Sequence, residues 1–254
     1  GDGSYSAPFT FTTADIPPIL LVDDDDNSPN VQPTYTTALD TLGLDYDLWE
    51  TGPSDVEPTL TDLAPYQIVL WFSGDRFGTQ NAGPAGPSPS TETALGTWLD
   101  NGGCFFISSQ DYRWDKGFTP FMQTYLGVAT ITNDDGDYTS VTGQGSVFGG
   151  LGPYPLSYPF TDFSDPMTPN GTAELAFQGN NSRGAGVNKA TSAYLTTYWA
   201  FPWEAISTAA GRETTLQTFV NWCEASKPTP TPTPTATEPG PTETPTPTPT
   251  STEP

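Results

Sequence analysis

Three short, unbroken apolar runs most constrain the fold of this chain. They are Ile19-Leu20-Leu21-Val22, Ile68 to Phe72 within an expected strand from Gln67 to Phe72, and Cys104 to Ile107. Each is too short for a buried helix and lacks the alternation of a strand with one wet face. Such runs are expected of parallel strands covered on both sides. Between them lie segments with helical spacing: Val31 to Leu42, stopped by Gly43 as a C′ residue, and Thr91 to Leu99, ended by Asn101-Gly102-Gly103. A strand at Tyr46 to Trp49 and a helical turn at Leu60 to Ala64 complete the pattern, with a Gly- and Pro-rich loop from Ser73 to Ser90. Strands alternating with helices over short links predict an α/β fold with a doubly wound, mostly parallel sheet.

Beyond Asp111 the pattern loosens. Phe118 to Leu126 reads as helical and Val128 to Thr132 as a strand. Residues 133–192 are rich in Gly, Pro, Asn and aromatics and read as a loop-rich β insertion with short antiparallel strands. Ala173 to Phe177 and Tyr194 to Trp199 are expected strands. Arg212 to Glu224 is an expected closing helix, with Leu216, Phe219, Val220 and Cys223 on one face.

Both ends differ from this domain. Residues 1–15 read as an extended N-terminal arm in which Tyr5, Phe9 and Phe11 share one side of a period-2 pattern. That arm is either an edge strand of its own domain, the remnant of a preceding one, or a segment that pairs with another subunit's open edge. Residues 228–254 are a Thr/Pro-rich tail. Proline fixes φ and removes backbone donors, so polyproline II is the expected state, and 27 residues could reach roughly 80 Å. Thr beside Pro is a common O-glycan acceptor pattern, which nominates Thr229, Thr231, Thr233, Thr235, Thr237, Thr242, Thr244, Thr246, Thr248 and Thr250. The domain lies between these ends, over residues 16–227.

Composition narrows the function. A net charge of −23 with only seven Lys and Arg removes the clustered cations that nucleic acid or an anionic membrane surface would need. No stretch approaches the roughly 18 apolar residues of a membrane span. The chain opens Gly1-Asp2-Gly3 without a positively charged leader, so removal of a signal peptide is expected. Low Lys content, the tail, and the sequons at Asn170 and Asn180 agree with an extracellular or cell-surface location. Two readings of Cys104 and Cys223 stand: one disulfide tying a strand to the last helix, or two buried free thiols.

The run Ile19 to Asp26, then Tyr46-Asp47-Leu48-Trp49, then Leu63 through Asp75, resembles the glutamine-amidotransferase-like, flavodoxin-type domains of secreted bacterial surface proteins and peptidases. So does Trp98-Leu99-Asp100-Asn101-Gly102-Gly103 leading into Phe105 to Asp111. The resemblance covers residues 17–125 well and 194–224 more loosely. Catalytic members of that superfamily use a Cys nucleophile at a strand-to-helix elbow and a His-x-Glu pair from a late strand. This chain has no histidine. Ser109 lies where the elbow nucleophile would fall, and Cys104 lies before the apolar strand residues rather than after them. Phe201-Pro202-Trp203-Glu204 occupies the region of the His-x-Glu pair, and only Glu204 matches it. Without a base matched to neutral pH a Ser or Cys triad cannot operate, so the resemblance implies a catalytically degenerate member.

Strand ends would bring Asp23, Asp25, Asp75 and Asp111 to the carboxyl edge of the sheet, where open α/β folds bind ligands. Two readings stand. Either these carboxylates hold Ca²⁺, which suits an all-protein oxygen cage better than Mg²⁺ does, or they cap helices and face water, with Arg76 and Arg113 as partners. The run Asn133 to Asp137 reads as a solvated turn. Trp114, Tyr154, Tyr158, Trp199 and Trp203 are candidates for stacking on sugar rings, or are packing residues. Together these features lead us to expect a non-catalytic extracellular glycoprotein with a structural role, self-associating into a filament or surface layer. The alternative is a Ca²⁺- or carbohydrate-binding module that accompanies a secreted enzyme.

Overall fold

The computed structural model describes residues 18–52, 54–78, 84–133 and 136–225. The arm with Tyr5, Phe9 and Phe11, the Thr-Pro tail with the ten threonines expected to carry O-glycans, and Asp134 and Asp135 lie outside the described residues.

The apolar runs form the expected central strands: β1 (Ile19–Asp23), β3 (Ile68–Phe72) and β4 (Cys104–Ser108), every residue of them buried. Between β1 and β3 come helix α1 (Gln32–Leu42), strand β2 (Tyr46–Glu50) and the single turn α2 (Leu60–Leu63). Gly43 ends α1 at φ +66°, the left-handed conformation that its lack of a Cβ permits. Helix α3 (Pro89–Asp100) begins two residues before the expected Thr91, because Ser88 caps it and Pro89 suits its first turn.

After β4 come two short helices, α4 (Tyr112–Lys116) and α5 (Pro120–Thr124), then strand β5 (Val128–Ile131). Strand β6 (Ser140–Gly143), the turn α6 (Gly145–Phe148), β7 (Tyr154–Pro155), β8 (Met167–Pro169), β9 (Glu174–Gly179) and β10 (Gly184–Ala190) follow. Strand β11 (Leu195–Trp199), a 3₁₀ turn at Trp203–Ala205 and helix α7 (Ala209–Ala225) close the domain.

The main sheet has nine strands in the order β2-β1-β3-β4-β11-β10-β9-β6-β7. Its first five are parallel, as a doubly wound fold requires. From β10 onward the pairing is antiparallel. The stretch expected as an insertion is thus largely a continuation of the same sheet, and only β5 and β8 pair separately. Strand β10 was hidden in the sequence by its glycines. It joins the sheet through bulges at Gly184 and Gly186, where close backbone approach replaces side-chain packing.

Successive residues of each parallel strand serve opposite layers. Ile19, Leu21, Leu70 and Phe106 pack toward α1 and α7, whereas Leu20, Val22, Val69 and Phe105 pack toward α2, α3 and α5. On the first side Leu216, Phe219, Val220 and Cys223 of α7 are all buried, the face expected from their spacing. There Cys223 joins Cys104 in a disulfide with a Cα–Cα distance of 5.9 Å, across 119 residues of sequence. The second cysteine reading, two free thiols, is overturned. Among the described residues no helix is long and apolar enough to cross a membrane.

Candidate functional site

The carboxyl ends of the parallel strands carry a dense set of buried polar groups. Strand β1 ends in Asp23 and feeds Asp24, Asp25 and Asp26 into a turn where Asp26 and Asn27 take positive φ, at 52° and 60°. Asp and Asn tolerate that region better than other residues with a Cβ. The Asp25 carboxylate holds the turn by accepting the backbone N–H groups of Asn27 (2.5 Å) and Val31 (2.6 Å). Asp25 in turn donates its own N–H to Asp23 Oδ1 at 3.0 Å.

Asp24 is the hub. Its buried carboxylate accepts from Trp71 Nε1 (3.0 Å), Ser73 Oγ (3.3 Å), Thr51 Oγ1 (3.0 Å) and Gly86 N (2.9 Å), and it pairs with Arg76. Gly86 is required here. It has φ +74°, and a Cβ on it would lie 2.4 Å from the Tyr112 ring. The Arg76 guanidinium, 0% exposed, also pairs with Asp26 (Nε to Oδ2, 3.2 Å) and with Asp55. Burial works against its charge, but these three carboxylates together hold its pKa above the ordinary value. Burial lifts Asp24 to about 6 even though Arg76 pulls it down. Asp23 is lifted to about 8, first by burial and then by the charge of Asp25 beside it.

A second group forms where β4 and the segment after β11 converge. Ser108 Oγ accepts the N–H of Trp203 (2.8 Å) and donates to the carbonyl of Phe201 (3.2 Å), pinning the 3₁₀ turn to the sheet. That turn aims the buried Glu204 at Tyr35 of α1, whose hydroxyl donates to Oε2 at 2.7 Å. Tyr35 is itself clamped, with its ring centroid 4.0 Å from Phe72 and 4.5 Å from Trp203. Glu204 Oε1 has no hydrogen-bond partner, and burial lifts the group to about 7 against the pull of Tyr35. Ser109, at the expected elbow, is buried with its Oγ unpartnered. Gln110 bridges to the loop after β7, donating to the Thr161 carbonyl (3.1 Å) and accepting from Phe163 N (3.0 Å).

The sequence-derived candidates are therefore distributed unevenly. Asp23 and Asp25 sit together, whereas Asp75 lies on the next loop, half-buried, with a 3.5 Å contact from Gln110 Nε2. Burial raises the Asp75 carboxyl. Asp111 occupies the N-cap position of α4 without making a side-chain cap bond. Among the described residues no group of three or more His, Cys, Asp or Glu side chains is arranged to hold a metal ion.

Of the five aromatics with two readings, sugar stacking or packing, Trp199 and Trp203 are packing residues, each buried against phenylalanine or tyrosine rings. Trp114 is 62% exposed. Asn180 is exposed and Asn170 half-buried, and their Nδ2 groups donate to Thr139 Oγ1 and the Gln123 carbonyl. Tyr35 and Asp55 went unnoticed in the sequence. Nothing local marks either, since their partners lie 169 residues away in Glu204 and 21 away in Arg76.

The two groups are held in place by their own ion pairs and hydrogen bonds. They contain acids poised to hold protons near neutrality, an enclosed cation and a buried serine, and the chain supplies no imidazole to link them. The fold is of the flavodoxin-like α/β class. Similar solved structures include a GMP synthase component from Thermoplasma acidophilum, at 14% identity over 82% of this chain and 95% of that one, with a TM-score of 0.53. A ThuA-like protein from Parabacteroides merdae matches at 13% identity over 84% and 91%, with a TM-score of 0.52. An exo-β-1,4-mannosidase from an Opitutaceae bacterium matches at 15% identity over 83% of this chain, with a TM-score of 0.52. This chain spans only 36% of the mannosidase's length. No protein-family model matches the sequence, and no curated protein does. Likeness at such identities is a statement about fold, which hosts many unrelated activities.

Proposed function

We propose that this chain is a non-catalytic extracellular glycoprotein with a structural role, a self-associating building block of a filament or surface layer. One observation carries the non-catalytic part. The carboxyl edge, where open α/β folds act on ligands, is occupied by side chains bonded to one another, with Arg76 enclosed by three aspartates and Glu204 held by Tyr35. The absence of histidine from the whole sequence supports the same reading. The Cys104–Cys223 disulfide suits an oxidising compartment.

Support for assembly comes from β2. Among the described residues it is an end strand of the main sheet, and its Leu48 is 42% exposed. An open edge of this kind is a template for an added strand. The aromatic arm of a neighbouring copy is the strand we assign to it. Head-to-tail contacts of that type build filaments when they do not close.

Negative-stain microscopy of native material, with intact-mass measurement on the same sample, tests the proposal. Fibres or sheets carrying glycan mass are expected, and deletion of residues 1–15 should leave monomers. A protein that stays monomeric at high concentration with its arm intact, and shows no added mass, would overturn it.

A further inference from the structure

The free edge of the main sheet distinguishes the two directions in which a strand can be added to it. Strand β2 has β1 as its one neighbour among the described residues, in parallel register from Ile19 opposite Tyr46 to Asp23 opposite Glu50. Just past the end of β2, Thr51 donates its N–H to the Asp23 carbonyl at 3.0 Å. Backbone groups alternate sides along a strand, so those of Asp47 and Trp49 also face β1. The N–H and C=O of Tyr46, Leu48 and Glu50 therefore face outward.

The two faces of β2 differ as well. On the α2 side Trp49 is half-buried, with its indole donating to the Val56 carbonyl at 2.7 Å, and the Asp47 carboxylate accepts from the Tyr66 hydroxyl at 2.8 Å. On the α1 side Tyr46 and Glu50 reach across to Asp40 and Gln32 of α1. Leu48 stands between them on that face and is exposed.

The sequence of the arm carries a matching constraint. Pro8 has no N–H, so in a strand added to β2 it must face away from the ladder, or a hydrogen bond is lost. Tyr5, Ala7, Phe9 and Phe11 then turn their backbone groups toward β2. In an antiparallel pair, residues that exchange both hydrogen bonds lie opposite each other with side chains on one face, which puts the aromatics beside Leu48. In a parallel pair each such residue lies opposite one whose backbone groups point to β1, which puts them on the Trp49 face instead. That face is already covered. The same proline interrupts the new outer edge and so stops a further strand from adding. Ile16-Pro17-Pro18 leads into β1, and the Pro18 carbonyl is pinned there by the N–H groups of Gln67 and Ile68, both at 3.0 Å. Residues before proline are biased to extended backbone, so Ile16 and Pro17 direct the arm away from its own β2 and toward another copy.

We propose that the arm of a second copy adds to β2 antiparallel, with Tyr5, Phe9 and Phe11 seated around Leu48 on the α1 face. This rests on the assembly reading and adds a direction and a face to it.

The test uses the full chain with Phe9 replaced by p-benzoylphenylalanine, mixing light and heavy-isotope copies before irradiation. Crosslinked peptides read by mass spectrometry should join the two isotopes and end on residues 32–48. Leu48→Arg should raise the concentration needed for assembly about tenfold or more while leaving Tm unchanged, because the side chain is already exposed. Val56→Arg, beside Trp49 and 58% exposed, should leave assembly as it was. Crosslinks between copies that end on residues 49–66 instead, or assembly indifferent to Leu48→Arg, overturn the antiparallel seating but not the pairing of arm with β2. Crosslinks within one copy, or a protein that stays monomeric, overturn it together with the assembly reading.

Discussion

Glu204→Gln should make the protein more stable, by an amount that grows with pH. Burial is the main reason that the Glu204 carboxyl is raised from 4.5 to about 7, with Asp25 adding to it and Tyr35 and Arg212 opposing. A carboxyl whose pKa is raised by folding binds its proton more tightly in the folded state. Its stability contribution is fully present below about 4.5 and is lost as pH rises through about 7. At about 1.4 kcal/mol per pH unit, the interval between those values amounts to about 3 kcal/mol.

The glutamine carries no charge at any pH and keeps an oxygen to accept from Tyr35. The variant should therefore match the wild type near pH 4.5 and exceed it by about 3 kcal/mol at pH 8. For a domain of this size that is about 6–12 °C in Tm. Asp23 and Asp24 titrate in both proteins and largely cancel in the difference. Thermal unfolding followed by circular dichroism at the two pH values measures it. A gap that is the same at both, or that narrows as pH rises, refutes the claim that Glu204 is buried with a proton it is reluctant to lose.

Two further substitutions probe the scaffold. Arg76→Met strands Asp24, Asp26 and Asp55 without their shared cation, and should cost about 3–5 kcal/mol at pH 8 in urea unfolding. The cost should shrink at pH 5, where Asp24, already raised to about 6 beside Arg76, is protonated. Replacing Cys104 and Cys223 by alanine should lower stability by about 2–5 kcal/mol, and reductant should bring the wild-type Tm down to that of the variant. An unchanged Tm on reduction would show that the bond does not constrain the unfolded chain.

Much of the fold was legible in the sequence because its signals are local. A run such as Ile68 to Phe72 needs apolar cover on both faces wherever it lies, and Gly43 can end a helix without knowing what the helix packs on. The face of α7 was equally plain, since Leu216, Phe219, Val220 and Cys223 follow helical spacing. Strand β10 was not, because glycine-rich strands hold their place by backbone pairing with neighbours and not by a pattern of their own. The aspartates were seen as a group for the same local reason, adjacency after β1, but their chemistry was not. Whether such a carboxylate caps a turn, neutralises Arg76 or keeps a proton depends on what the folded chain brings against it.

The sequence by itself determined the parallel core, the pairing of strand with helix, the acidic character of the carboxyl edge and the want of an imidazole. These follow from residue type, spacing and composition. Only the tertiary structure decided that Cys104 and Cys223 are joined, that Arg76 is enclosed by Asp24, Asp26 and Asp55, and that Tyr35 meets Glu204. Each of those is a meeting of groups that come from different elements. Burial and distance in three dimensions, which no one-dimensional pattern encodes, set their charge and their use.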